Sequence, residues 1–470
     1  MSASSTDVFQ SLQNRLKPYS QSHLLQFWEQ LSASEKESLQ AQIEAIDFAE
    51  LSQLVADQTE GIDFGALAAR SETPPAVNAD GTGASWSTEQ AIKLGEQAIA
   101  AGEVAAIIVA GGQGTRLGFD LPKGMYPLGP LSNRTLFQIF ADRLLAIGDA
   151  YGVSIPLYLM TSPATHEATV EYWETNQWLG LSPDDVHVFC QGTMPAVDAQ
   201  SGNVLLASPG EIALSPDGHG GTVAALKKSG CLEDAKRRGV RYLSYGQVDN
   251  PLVDLCEPKL IGHHIAAESE LTTQVVRKRY PLEKVGNVVL ADGRVQIIEY
   301  SDLPESAAVQ TNDAGELKLW AGSIAVHVFD IPFLDRVSDQ ADALPFHRAN
   351  KKVPHLDTSG NLIEPGEPNA TKFERFIFDL LPQAKNAFVV EGLPEDIFAP
   401  VKNADGAPAD TPDLAKQAIC RQAIRDLAAA GIEVAEGVQV EINPRFAMNP
   451  NSLRNQLPGI KTVTSDTYFA

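Results

Sequence analysis

The sequence predicts an α/β fold: a doubly wound, mostly parallel sheet, preceded by a helical N-terminal domain and followed by a small C-terminal one. Three observations carry that expectation. Short continuous apolar runs, Val104–Ala110, Ile155–Thr161, Val186–Cys190, Val240–Val248 and Leu271–Val276, alternate with helical stretches through the middle of the chain. That is the pattern of strands covered on both faces by crossover helices. The residues before about 90 carry helix-period apolar stripes instead, and a polar turn cluster near 404 precedes one more helix and strand. With 470 residues, 44% apolar and 20% charged, the chain has the balance of a globular protein of two or three domains.

Leu24, Phe27, Trp28 and Leu31 fall at i, i+3, i+4 and i+7 and predict one helix. Ser34 with Glu37 reads as a capping box before a second, with Leu39, Ile43 and Ile46 on its buried face. Residues Ser71–Ser85, rich in Pro, Gly, Ala, Asp and Thr, read as a linker. Ser87 with Gln90 then opens a helix that stops at Gly102, so the first domain is expected at 1–100 and the sheet domain at 101–400. Within the latter, Val288–Val295 reads as a hairpin turning at Asp292-Gly293, an antiparallel addition. A helix from about Thr411 to Gly431 and a strand at Val438–Ile442 make the third domain, 401–470.

Lys and Arg number 36 against 60 Asp and Glu, a net charge of −24. This excludes a protein that works by coating a nucleic-acid backbone or an anionic membrane. The N-terminal MSASSTDVFQSLQNRLK has no secretory apolar core, and Val104–Ala110 is too short to span a bilayer, so a cytoplasmic location is expected. Cys190, Cys231, Cys256 and Cys420 are widely spaced, with no CxxC pair, and read as core thiols. Oligomeric state is left open.

The first strand runs into AGGQGTRLGFDLPKGMYPLG, Ala110 to Gly129. Gly111, Gly112 and Gly114 remove side chains where the backbone must turn, so that N–H groups can face phosphate oxygens, and Arg116 and Lys123 add two cations. Neither the GxGxxG dinucleotide fingerprint nor the GKS/GKT P-loop fits, which removes a dehydrogenase reading. A triphosphate cradle is expected; a tight turn with solvated charges is the competing reading. Asp249 ends an apolar strand in QVDN, where a carboxylate can hold a hard cation such as Mg²⁺ against phosphates. The competing reading is an Asp that starts a turn before Pro251.

GGQGTRLG followed by PKGMY resembles the signature of the eukaryotic-type UDP-sugar pyrophosphorylases, and of their UDP-N-acetylhexosamine branch in particular. The resemblance continues through HLLQFWEQL, QGTMPA, SPDGHGG, QVDNPL, IEYSD, FERFIFD, VKNADG and VEINP, in order along nearly the whole chain. It implies a Rossmann-like sheet of nucleotidyltransferase type and the reaction of UTP with a hexose 1-phosphate, giving a UDP-sugar and pyrophosphate with Mg²⁺. It further implies that Ala110, Gly111 and Gly112 meet the nucleotide, that Arg116 and Lys123 hold its β- and γ-phosphates, and that Gln191 reads the uracil. Gly218 is implied to lie against uracil or ribose, although a glycine-rich helix entry explains it equally. Lys372 and Lys402, taken to lie in loops before FERFIFD and within VKNADG, are implied to contact the nucleotide phosphates and the sugar phosphate respectively. Glu299 is implied to accept hydrogen bonds from sugar hydroxyls, and Phe376 and Phe378 to wall the sugar, with core packing as their competing role.

Two positions depart from the N-acetylhexosamine pattern. Where that branch reads PDGNGG this chain has His219, as the UDP-glucose branch has, and the asparagine of AGN is Ser323. Both fall where the resemblance puts the sugar. N-acetylglucosamine 1-phosphate is the first expectation, a UDP-glucose or broad UDP-sugar pyrophosphorylase the alternative, and a non-catalytic UDP-sugar binding protein the second alternative.

Overall fold

A nine-stranded sheet organises the larger part of the protein in this computed structural model, which describes residues 5–56, 63–340 and 344–470. Its strands are β1 (Val104–Val109), β2 (Leu157–Thr161), β3 (Val186–Cys190), β4 (Tyr242–Gln247), β5 (Leu271–Arg277), β6 (Gly286–Ala291), β7 (Arg294–Ile298), β8 (Ala321–Asp330) and β9 (Ala387–Gly392). The order is β7-β6-β8-β4-β1-β2-β3, with β5 on β8 and β9 on β5. The pairings β4/β1, β1/β2, β2/β3 and β5/β9 are parallel, and those of β8 with β4, β5 and β6 and of β6 with β7 are antiparallel. Only β7 and β8 therefore run against the other strands, which agrees with the mostly parallel sheet expected. The Asp292-Gly293 turn joins β6 to β7 with both residues at positive φ, 53° and 73°, as a two-residue hairpin requires.

The chain leaves β1 toward β2 and β3 and then returns to the other side of β1 as β4. This reversal makes a crevice outside the carboxyl ends of the strands. Ile108, Leu159, Phe137, Phe140, Trp173 and Val326 belong to the core around this sheet. The helix Leu136–Tyr151 follows the glycine-rich loop and is started by a Thr135–Gln138 capping box. Gly124 in that loop lies against the face of buried Phe137, where a methyl group would overlap the ring. Gly124→Ala is expected to lower stability by about 2 kcal/mol, read from the urea midpoint.

By contacts the chain forms two units, residues 1–63, 192–221 and 344–377 in one and 64–191, 222–343 and 378–470 in the other. The sequence boundaries near 100 and 400 divide the chain differently. In the first unit, helices Ala33–Ala45 and Phe48–Ala56 share a core with Val197, Val204 and Phe373. In the second, the helix Pro412–Ala429 and the strand Val440–Ile442 carry a cluster of their own that includes Leu427, Val440 and Leu453.

Two local expectations are corrected. The Leu24–Leu31 stripe is two 3₁₀ turns, Ser22–Leu25 and Trp28–Gln30, not one α-helix. All four residues are buried, and since i, i+3 spacing serves a three-residue turn as well as an α-helix, the pattern reports burial and not helix type. The capping box is Ser32 with Glu35, not Ser34 with Glu37: the Glu35 N–H donates to Ser32 Oγ at 3.3 Å, and the Ser32 N–H donates to Glu35 Oε2 at 2.8 Å. Leu31, buried and extended just before it, sets where the helix begins and leaves Ser34 inside the first turn. Cys231, Cys256 and Cys420 are buried and Cys190 is half-buried, and none of the four is in a disulfide. Among the described residues no helix is long and apolar enough to cross a membrane.

Candidate active site

The carboxyl ends of β4, β1, β2 and β3 lie side by side, and each delivers a polar element: Asp249, the glycine-rich loop, Ser162 and Gln191. The Ala110 N–H donates to Met160 O at 2.7 Å, so the loop leaves the sheet in register with β2. Ser162 Oγ then donates to Gly111 O at 2.7 Å. A Cβ on Gly111 would lie 3.5 Å from Gln191 Oε1 and 3.3 Å from Ser162, which brings the loop backbone and the Gln191 amide together. The loop closes through bonds from the Gly114 N–H to Leu121 O at 2.9 Å and from the Lys123 N–H to Gly112 O at 3.0 Å. Gly112 and Arg116 face solvent on the closed loop.

Lys123 points inward. Its Nζ donates to Val401 O at 3.2 Å and lies 3.8 Å from Asp249 Oδ2, with side chains 16% and 14% exposed. The Val401 N–H donates to Asp249 O at 2.8 Å, so the segment that presents Lys402 is tied to the end of β4. Asn250 adds to the tie: its Nδ2 donates to Ile397 O at 2.8 Å and its Oδ1 accepts the Ala399 N–H at 3.0 Å. Asn250, unassigned in the sequence reading, thus places Lys402; its burial at 3% is the structural signal. Lys123, Asp249 and Lys402, far apart in sequence, are brought together. Near them burial raises the Asp410 carboxyl above its usual range, opposed by the charges of Lys402 and Arg279. Among the described residues no three His, Cys, Asp or Glu side chains form a cage for a metal. A lone carboxylate at a strand end suits a Mg²⁺ that takes its other ligands from phosphates and water.

Glu299 and Ser323 both lie beside Gly286. Gly286 pairs with Ser323 across β6 and β8, and a Cβ on Gly286 would lie 3.1 Å from Glu299 Oε1 and 3.7 Å from Ser323 Cβ. Gly286 makes room for that carboxylate, a role the GNVVL stretch did not reveal. Beneath, Lys278 is buried and its Nζ donates to Asn287 Oδ1 at 2.6 Å. Asn287 Nδ2 donates to Ile298 O at 3.3 Å, which holds β6 and β7 together just before Glu299.

Gly218, His219, Lys372 and Phe376 belong to the other unit. Lys372 lies on the strand Ala370–Glu374, not in a loop, because Ala370 and Phe373 anchor that segment in the core. Gly218 has φ +84°, and a side chain there would overlap the Arg375 carbonyl. His219 Nδ1 accepts the Ile377 N–H at 3.1 Å, and its ring packs at a tilt on Phe376, with centroids 5.3 Å apart; Phe376 also packs on His347. Burial, then the nearby His347, holds the imidazole down at about 4, so His219 is neutral with its proton on Nε2. Phe378 is buried, at 7% exposed.

Asp217, in an ordinary Pro-Asp-Gly turn, has no sequence mark. It is 8% exposed, and burial pushes its carboxyl up to about 6 although the Arg375 charge opposes this. A folded-state pKa above the unfolded value means the native state binds the proton more tightly. Stability should then fall as the pH rises from about 4 to 6 and stay reduced above it. Asp217→Asn is expected to stabilise the protein by roughly 2 kcal/mol at pH 7.5 and not at pH 4, as read from denaturant midpoints at the two pH values.

Residues 84–418 match the family described as UTP–glucose-1-phosphate uridylyltransferase. The chain is 37% identical over 444 residues to UDP-N-acetylhexosamine pyrophosphorylase-like protein 1 of Xenopus tropicalis, covering 91% of this chain and 86% of that protein. It is 36% identical over 444 residues to UDP-N-acetylglucosamine pyrophosphorylase of Saccharomyces cerevisiae, covering 91% of this chain and 93% of the yeast protein. Among solved structures, the Trypanosoma brucei UDP-N-acetylglucosamine pyrophosphorylase bound to an inhibitor superposes with a TM-score of 0.84 at 26% identity, over 100% of this chain and 99% of that one.

Proposed function

This chain belongs to the UTP–glucose-1-phosphate uridylyltransferase family and is a nucleotidyltransferase that makes a UDP-sugar from UTP and a sugar 1-phosphate; we propose that its sugar substrate is N-acetylglucosamine 1-phosphate and its metal Mg²⁺. The names of the yeast and trypanosome relatives support that sugar. The carrying observation for the site is the Lys123–Asp249–Val401 junction at the carboxyl ends of the strands beside the glycine-rich loop. A phosphate oxygen of the sugar phosphate attacks the α-phosphorus of UTP; that P–O bond forms as the bond to the β-phosphate oxygen breaks, and pyrophosphate leaves. No side chain becomes covalently bonded, so placement and charge supply the catalysis.

Lys123 and Arg116 balance the negative charge that gathers on the leaving pyrophosphate, and the loop backbone at Ala110, Gly111 and Gly112 orients the triphosphate. Lys402 grips the incoming phosphate, and Lys372 the nucleotide phosphates. Gln191 pairs with the uracil edge, for which an amide that both donates and accepts is suited. Gly218 keeps its role against the nucleoside, and Glu299, Ser323, His219 and Phe376 theirs toward the sugar. Mg²⁺ held by Asp249 would supply positive charge shared between phosphate oxygens.

The reading is tested by pyrophosphate release with UTP and, in turn, glucose, galactose, N-acetylglucosamine and N-acetylgalactosamine 1-phosphates. Release with none of them would refute it. His219 and Ser323 favour a second reading, a UDP-glucose or broader specificity. Asparagine Oδ1 can take over the bond from the Ile377 N–H, so His219→Asn should keep the turn intact. Combined with Ser323→Asn it should move the N-acetylglucosamine to glucose rate ratio upward by about tenfold. An unchanged ratio would mean that these two positions do not choose the sugar.

A further inference from the structure

We infer that Arg375 is a positioning residue for the turn Asp217–Gly221: its main chain braces the turn, and its guanidinium balances the buried Asp217 carboxylate that underlies it. The inference rests on the proposed role of Gly218 and His219 toward the substrate.

The main-chain contacts are reciprocal. The Arg375 N–H donates to Asp217 O at 2.7 Å, and Arg375 O accepts the Gly220 N–H at 2.8 Å. A Cβ on Gly220 would lie 2.6 Å from the Arg375 carbonyl carbon, so backbone packs directly on backbone. Two residues on, the Ile377 N–H donates to His219 Nδ1. The segment 375–377 therefore grips the turn at its first, third and fourth residues.

The side chains add the electrostatic part. Asp217 Oδ1 is buried with no hydrogen-bond partner, and its carboxylate packs against Gly192, where a Cβ would lie 2.8 Å from Oδ2, and against Gly221. Arg375 Nε is buried and likewise without a partner, whereas Nη2 meets Glu50 Oε1 at 3.0 Å and the guanidinium lies 3.8 Å from the centre of the Phe346 ring. Glu50, on the helix Phe48–Ala56, and Phe346 thus hold the cation in place while its charge offsets Asp217. A buried acid with an unpartnered oxygen costs stability, and removing the Arg375 charge that offsets it costs more. Held in this way, Gly218 keeps its left-handed backbone and His219 its tautomer whether or not substrate is bound. The N-terminal helices reach the turn through this residue.

The test compares wild type, Arg375→Lys, Arg375→Met and the double variant Asp217→Asn/Arg375→Met. Pyrophosphate release from UTP with N-acetylglucosamine 1-phosphate, thermal midpoints and amide exchange over 217–221 are measured. Arg375→Met should raise KM for UTP about tenfold with kcat within about threefold of wild type, and should speed exchange at Gly220. Arg375→Lys, which keeps the charge, should stay within about threefold of wild type, and the double variant should recover most of the lost affinity because the unbalanced acid is gone. An unchanged KM in Arg375→Met, or a double variant as impaired as it, overturns the inference. If Arg375→Met does not fold, the double variant decides: folded with a KM near wild type supports the inference, and failure to fold overturns it. Absence of pyrophosphate release by the wild type would sink the substrate reading, while Gly220 exchange would still report on the brace.

Discussion

Lys123→Ala is expected to lower kcat by about 10²- to 10³-fold, the usual cost of deleting one preorganised group that meets charge developing in the transition state. The position makes the loss larger than the removal of a surface cation. Lys123 is only 16% exposed, its Nζ is fixed by Val401 O, and it lies 3.8 Å from Asp249 Oδ2. Without it, the Asp249 carboxylate faces the arriving triphosphate with less positive charge beside it, so repulsion is added to the lost attraction. Arg116, exposed on the same loop, is expected to cost about tenfold when replaced by alanine, because solvent screens it. Steady-state kinetics with both substrates saturating, and a melting curve to show that Lys123→Ala remains folded, make the measurement. A kcat for Lys123→Ala within threefold of wild type would remove Lys123 from the chemistry.

Asp249→Asn is expected to lower activity by at least about 10²-fold, since loss of even an outer-shell partner of a metal site costs 10- to 100-fold. The substitution leaves the backbone bond from the Val401 N–H to Asp249 O in place, so the segment carrying Lys402 keeps its anchor. What goes is the negative charge that would attract a divalent ion and offset Lys123. The half-saturating Mg²⁺ concentration should rise, and Mn²⁺ binding in the presence of UTP, followed by electron paramagnetic resonance, should weaken. An unaltered Mn²⁺ affinity would place the metal elsewhere.

The same residues show why parts of the site are legible in a sequence and parts are not. Loop 110–129 is local: glycines, cations and a preceding apolar run are contiguous, and each states its geometric need by residue type. Gln191 and Asp249 are legible for a related reason, because each follows directly on a strand whose apolar pattern marks its end. Asn250 and Gly286 have no such mark. Their roles, latching 397–399 and making room for Glu299, exist only between segments distant in the chain. Asp217 carries no such mark, because a Pro-Asp-Gly run is an ordinary turn, and the Gly192 that packs on its carboxylate and the Arg375 charge that offsets it come from other segments. Ser32 and Ser34 both satisfy the capping-box spacing, and only the buried Leu31 selects between them.

By itself the sequence determined the fold class, the apolar runs that become the first strands and the glycine-rich loop after the first of them, since periodicity, turn chemistry and charge are properties of neighbouring residues. It also placed the chain in its family through motifs spread along its length. The tertiary structure alone decided that β4 lies beside β1, which makes the crevice, and that Lys123, Asp249 and Val401 meet within it. It alone decided, too, that helices from the first sixty residues share a core with 192–221 and 344–377. The physical reason is the same in each case. Strand order, ion pairing and burial are set by which distant surfaces pack together, and that free energy belongs to pairs of segments and to neither sequence alone.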